Sequence, residues 1–388
     1  MHSDRKKYDP VRVAVRGDNI MGLDKNGYYT LKDIDKFKCQ WNFIYGERSP
    51  GKSYAVKKRG LEHAIETGKP VIGIIRRNDT DIKAVDVEGY WLDRDINVVE
   101  EVTAGEWSFI SYYRGYMWLA RTEEQTNGRL KVIRGQAIGE VFAVSTAKHK
   151  KSTGHPWIDH IIYEEIITDE KYLPNEPARL QQLISTICRK DDNVRIYLIG
   201  NTLSRVCPYF AEWNLKNIRK QKIGTIDRYD HTDTEGNVIH MAVEYCPPSP
   251  HKSKLFFGRA AKSIQGGAWQ TGEYPHLPGE LTDYEECYTL TYISIDKFMF
   301  NVKLLCHIKD GYLITYIYPA KRQSERVISS AFSTDFTQTP QIKPDIYPAE
   351  LEIAKCFLDN KVCYCDNQAA QDFIDSCKAE LKAPFKVI

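Results

Sequence analysis

The chain has 388 residues, 42% hydrophobic and 27% charged, with a formal charge of +2 at pH 7. That length exceeds one comfortable core and points to two domains. The near-neutral balance excludes a uniformly basic nucleic-acid coat, so any basic surface must be local.

Residues 1–38 are polar and turn-rich and read as an N-terminal extension packed beside the next domain, with Arg16-Gly-Asp18 as a turn. The start, Met-His-Ser-Asp-Arg-Lys-Lys, lacks the apolar stretch of a signal peptide. No apolar run approaches the ~20 residues that span a bilayer. A soluble intracellular protein is expected, and no membrane partner.

Trp41-Asn-Phe-Ile-Tyr45 is a buried strand that breaks at Gly46, and a helix follows from Ser53 to Thr67, stopped by Gly68-Lys-Pro70. Val71–Ile75 is a second buried strand, followed by Arg76-Arg77. Together they make a βαβ unit, which builds parallel sheet. The runs 107–113, 116–120, 130–133 and 137–143 alternate and are separated by Arg-Gly, Asn-Gly and Arg-Gly turns, as in antiparallel hairpins. A basic loop, Lys148–Gly154, leads into the strand Ile161–Tyr163, which ends in Glu164-Glu165. The spacing of Leu180, Leu183, Ile184 and Ile187 predicts a helix over 177–190, before a core strand at 194–199 ending in Gly200-Asn201-Thr202.

Residues 206–226 read as a linker, and from 227 the texture turns β-rich. A meander is expected at 288–295, 298–308 and 312–318, with Lys309-Asp-Gly311 as a hairpin turn, then helices at 349–359 and 368–381. The domains are thus 1–38, 39–205, a linker at 206–226, and 227–388. Ten scattered cysteines form no paired C-x-x-C knuckles, and Cys363-Tyr-Cys365 has the wrong spacing for zinc. Reduced buried thiols are expected.

Gly46-Glu-Arg48-Ser49-Pro50-Gly51-Lys52-Ser53 is a complete G-x-x-x-x-G-K-[ST] phosphate loop, set between a strand and a helix. Gly46 and Gly51 let backbone N–H groups close around phosphates. The helix N-terminus adds partial positive charge. Lys52 would reach the β- and γ-phosphates of ATP, and the Ser53 hydroxyl would ligate Mg²⁺. An apolar strand ending in two acids supplies the complement. Glu164 would hold Mg²⁺ through its water shell and Glu165 would polarise the attacking water. Asn201, at the tip of the next strand, is placed either to sense the γ-phosphate or as a simple turn residue. Arg48 would touch phosphate or a neighbouring loop, or is an exposed loop arginine.

These motifs recur in order in one family, together with Arg76-Arg77, Lys150-Lys151-Ser152, Leu173-Pro-Asn-Glu176, Arg189 and Pro208-Tyr-Phe210. Over residues 40–215 the chain resembles the DNA-packaging (encapsidation) ATPases of small short-tailed bacteriophages. The resemblance implies an α/β fold: an additional-strand (ASCE-type) P-loop NTPase domain with a mainly parallel sheet, plus a smaller α+β C-terminal domain, degenerate RNase H-like. It implies a homo-oligomeric ring, a pentamer, docked on the portal of an empty capsid in the host cytoplasm and driving double-stranded DNA inward with ATP. It leaves a structural RNA open as a further partner. By the same resemblance Arg189 is an arginine finger serving the neighbouring subunit, and Lys151 a second cation acting in trans. The family usually has Asp where this chain has Glu164.

DNA contacts in such a motor fall on phosphates, because every sequence must be gripped alike. Candidates are Lys148, Lys150, Lys171, Lys216, Arg219 and Lys220, each also readable as a solvated basic face. Two alternatives stand beside the motor: a large terminase with an active nuclease, and a nucleotide-binding adaptor that does not hydrolyse. Two-metal cleavage needs converging carboxylates. Asp296, Asp310, Asp335, Asp345 and Asp366 form no convincing cluster in sequence, which argues against the nuclease.

Overall fold

The computed structural model describes residues 11–13, 22–48, 51–93, 96–147, 154–168, 171–189, 193–250, 255, 267–294, 297–329 and 347–379. The chain divides into two units. One comprises Met1–Ile167, Leu173–Thr202 and Asn217–Ala268, the other Thr168–Tyr172, Leu203–Lys216 and Trp269–Ile388.

The first unit is built on a ten-stranded sheet. Its strands in chain order are β1 (Val11–Val13), β2 (Trp41–Gly46), β3 (Ile72–Arg76), β4 (Phe109–Tyr113), β5 (Tyr116–Glu124), β6 (Leu130–Ala143), β7 (His160–Tyr163), β8 (Arg195–Asn201), β9 (Thr225–Thr232) and β10 (Val238–Tyr245). In space they run β1-β9-β10-β2-β8-β7-β3-β6-β5-β4. From β10 to β6 every neighbouring pair is parallel. Parallel strands covered on both faces need near-continuous apolar sequence. Phe43, Ile44, Tyr45, Ile161, Ile162, Tyr163 and Leu198 accordingly have no exposed surface. Strand β8 lies between β2 and β7, which is the additional-strand order expected of this class of NTPase.

Helix α1 (Lys52–Thr67) buries Val56, Leu61 and Ala64 in the core formed with Ile44, Ile72, Ile74 and Ile162. Two short helices join the same core through Val87, Val98 and Val99. They are α2 (Ala84–Tyr90) and α3 (Val98–Val102). Helix α4 (Glu176–Cys188) buries Leu180, Leu183, Ile184 and Ile187, the stripe read from the sequence.

Three sequence expectations change. Strand β6 runs unbroken through Arg134-Gly135, where a turn was expected. The glycine is there for space: a Cβ at Gly135 would overlap the Trp107 ring. The hairpin β9–β10, assigned to the C-terminal domain, completes the first sheet. Met241–Tyr245 pairs in parallel with Trp41–Tyr45, and the Tyr45 and Tyr245 rings stack at 4.5 Å. Residues 206–226 are not a plain linker. They include helix α5 (Pro208–Glu212), and Tyr209, Phe210, Trp213 and Leu215 are buried.

The second unit holds a mixed five-stranded sheet of β11 (Tyr284–Ile293), β12 (Met299–His307), β13 (Leu313–Pro319), β14 (Arg326–Ser329) and β15 (Val362–Tyr364), ordered β14-β11-β12-β13-β15. The expected meander is present, with parallel β14 and β15 added at its edges. Helices α6 (Pro348–Leu358) and α7 (Asn367–Ala379) contribute Ile353, Cys356, Ala370 and Phe373 to its core. All ten cysteines are unbridged. Five are buried, but Cys287 is exposed.

Candidate nucleotide site

Strand β2 ends at Gly46, where the chain passes so close to Cys246 that a Cβ would stand 3.1 Å from its Cβ. Gly51 caps α1 with φ 93°, a left-handed conformation that favours glycine. Lys52 and Ser53 therefore fall on the first turn of a sixteen-residue helix, where backbone N–H groups have no partner within the helix. Ser49 and Pro50 lie outside the described residues.

Lys52 is 4% exposed. Its Nζ donates to the Glu47 carbonyl and, at 3.3 Å, to Asn201 Oδ1. Burial pulls its pKa down, opposed by the charges of Glu47 and Glu164. An ammonium held dry against neutral acceptors gains when an anion arrives.

Glu164 and Glu165 follow directly on β7. The Tyr90 hydroxyl donates to Glu164 Oε1 at 2.7 Å. Tyr90 is itself clasped by cations. Arg76 stands 4.6 Å and Lys57 4.7 Å from its ring centroid, and Lys57 Nζ donates to its carbonyl at 2.8 Å. Burial, and then Glu164, push the phenol pKa up, so Tyr90 stays a donor. Glu165 has an exposed side chain and φ 55°, a left-handed backbone that a non-glycine holds only when its surroundings fix it. Its carbonyl accepts from Arg77 Nη2 at 2.9 Å.

Arg48, Lys52, Ser53, Glu164, Glu165 and Asn201 line one cleft of about 930 Å³. The oxygen donors there include the Ser53 hydroxyl and the carboxylates of Glu164 and Glu165, which suit Mg²⁺. Among the described residues no group of three or more His, Cys, Asp or Glu could hold a metal ion by itself.

The other predicted residues are placed elsewhere. Arg189 is exposed, caps the C-terminus of α4 with φ 33°, and does not line the cleft. Lys148, Lys150 and Lys151 lie outside the described residues. Lys171, Lys216 and Lys220 are exposed and Arg219 is half-buried. Lys171 and Lys216 belong to one unit, Arg219 and Lys220 to the other. Of the carboxylates weighed for cleavage, Asp296, Asp335 and Asp345 lie outside the described residues. Asp310 pairs with His307 at 2.9 Å, and Asp366 accepts the Ala369 N–H at the start of α7.

Two parts of the site had no role assigned from the sequence, although Arg76-Arg77 stood among its motifs. Residues 24, 26 and 28–31 form one wall of the cleft, tied down by the Tyr29 hydroxyl, which donates to buried Glu244 at 2.7 Å. Tyr90 and Arg77 hydrogen-bond Glu164 and Glu165, and Arg76, the last residue of β3, stands over the Tyr90 ring. No motif marks Tyr90, because its partner Glu164 is 74 residues away.

The family profile of the Podovirus DNA encapsidation protein (Gp16) matches residues 23–232. The chain is similar to the DNA packaging protein of Bacillus phage phi29, 28% identical over 196 residues, which are 50% of this chain and 52% of that protein. It therefore spans about half the length of that relative. It is also similar to the DNA packaging protein of Bacillus phage B103, 28% identical over 259 residues, covering 59% of this chain and 73% of that one. Among solved structures, a chain of the bacteriophage phi29 viral genome packaging motor assembly superposes with TM-score 0.51 at 18% identity, over 90% of this chain and 99% of that one. At that identity the likeness concerns the fold.

Proposed function

This chain belongs to the podovirus DNA encapsidation protein (Gp16) family, and from that membership we propose that it is an ATP-driven motor moving double-stranded viral DNA through the portal into a preformed capsid. The observation that carries the reading is the meeting of Lys52, Ser53, Glu164, Glu165 and Asn201 in one cleft at the carboxyl ends of β2, β7 and β8. Membership of a DNA encapsidation family supplies the polymer on which work is done.

In this reading the first turn of α1 and Lys52 bind the β- and γ-phosphates. Ser53 and Glu164 would hold Mg²⁺, which neutralises phosphate charge when bound. Glu165 accepts a proton from the attacking water as its oxygen adds to the γ-phosphorus and the bond to the leaving oxygen breaks. Asn201 reports the presence of the γ-phosphate through Lys52. Arg189 serves the next subunit of a ring, with Lys151 as a second cation in trans. Lys148, Lys150, Lys171, Lys216, Arg219 and Lys220 are the candidate phosphate grips on DNA. The motor works in the host cytoplasm at the portal vertex.

The test is ATP consumption by the purified chain with emptied procapsids and genome supplied, scored by DNA protected from nuclease. No consumption sinks the reading. Plasmid incubated with the protein and Mn²⁺ stays intact on this view, whereas cleavage lost on Asp296→Ala favours the terminase. DNA filling undiminished by Glu165→Gln favours the adaptor.

A further inference from the structure

Two motifs, Arg76-Arg77 and Leu173–Glu176, have no part in binding or splitting ATP as described. They are far apart in sequence and meet in space. Arg77 Nε bonds both carboxylate oxygens of Glu176, each at 3.1 Å, while its Nη2 donates to the Glu165 carbonyl. Glu176 has no exposed surface, and Arg77 is 11% exposed. The same carboxylate accepts from the Tyr163 hydroxyl at 2.8 Å and from the Leu173 N–H at 2.7 Å. Tyr163 is the last residue of β7 and Glu176 the first of α4.

Resting on the function proposed above, we infer that Arg77 is a positioning residue. Its planar fork ties the left-handed backbone of Glu165 to the first turn of α4 through Glu176. A buried carboxylate with three donors is rigid, and a guanidinium that spends one edge on it holds its other arm at a fixed angle. Glu165 cannot then relax toward ordinary backbone without breaking the Arg77 contact. Helix α4 shares the anchor, and its thirteen residues, ~20 Å at 1.5 Å each, end at Arg189. The acid that acts on the chain's own nucleotide and the arginine offered to the next subunit are thereby set from one ion pair. The neighbouring Arg76 acts on the other acid, through the ring of Tyr90.

The test uses full-length Arg77→Lys, Arg77→Ala and Glu176→Gln. Lysine keeps a cation against Glu176, so the fold survives, but it lacks the fork. Turnover of radiolabelled ATP should fall roughly 10- to 100-fold, as for other residues that orient a reacting group. KM and the affinity for a fluorescent ATP analogue should stay within about threefold. Added to Glu165→Gln, Arg77→Lys should cause no further loss. Amide exchange at Ile166 and Leu173 should quicken in Arg77→Lys while β2 and β8 stay protected. Full turnover in a folded Arg77→Lys overturns the inference, as does a loss that adds to that of Glu165→Gln. If the wild-type chain splits no ATP, the motor reading falls instead, and the exchange pattern still decides whether the tether exists.

Discussion

Lys52 Nζ and Asn201 Oδ1 lie 3.3 Å apart, joining the phosphate loop to the tip of the next strand. Asn201 thereby helps hold the lysine in place. Lys52→Ala should weaken ATP binding about a hundredfold, the size expected for a lost charged contact of about 3 kcal/mol. Titration with a fluorescent ATP analogue measures it. Asn201→Ala should bind ATP nearly as well as wild type and turn over more slowly.

Glu165→Gln keeps the shape of the acid but cannot take a proton. Its ATP affinity should change by less than about threefold while turnover drops roughly 10²- to 10⁴-fold. Single-turnover hydrolysis at saturating ATP separates the two quantities. A variant that hydrolyses normally removes Glu165 as the base.

Arg189 caps α4 away from the cleft of its own chain. Mixed assemblies of wild-type and Arg189→Ala chains should therefore lose turnover at the wild-type neighbour's site, with intrinsic ATP binding kept by the variant. An arginine finger contributes about 10³- to 10⁵-fold. Activity that falls only in proportion to the variant fraction argues that Arg189 acts within its own subunit.

Tyr90→Phe removes one hydroxyl from Glu164 and little else. The Mg²⁺ concentration for half-maximal ATPase activity should rise about tenfold, the usual effect of losing a partner behind a metal-binding group. Activity at saturating Mg²⁺ should recover toward wild type.

Glu244 is wholly buried, and desolvation raises its pKa from 4.5 to about 8. The folded chain therefore holds a proton that the unfolded chain releases above pH 4.5. Its contribution to stability is complete below pH 4.5 and is lost as pH rises through about 8. Glu244→Gln should flatten this slope. Thermal midpoints at pH 6 and pH 8.5 should differ less in the variant than in wild type.

What could be read from the sequence followed the range of the interactions. Gly46 to Ser53 and Glu164-Glu165 are contiguous, so their chemistry was visible before any partner was known. The contacts of Tyr90 with Glu164 and of Arg77 with Glu165 and Glu176 span 74 to 99 residues, and no period in the sequence encodes such distances. The hairpin at 225–245 was read as β structure, but alternation says that a strand forms, not which strand it joins. Arg134-Gly135 misled for a different reason. Glycine signals a turn by its freedom, whereas here it makes room for Trp107.

The pairing of Met241–Tyr245 with Trp41–Tyr45 sets a timetable for biosynthesis. The phosphate-loop strand leaves the ribosome about two hundred residues before its outer partner, ten seconds or more at ~5–20 residues per second. Through that interval one side of a strand that carries Phe43, Ile44 and Tyr45 is open to any passing edge. A fragment stopped at residue 205 keeps every nucleotide contact described and lacks that cover. Such a fragment should aggregate, while one carried through Tyr245 has a far better prospect of staying in solution.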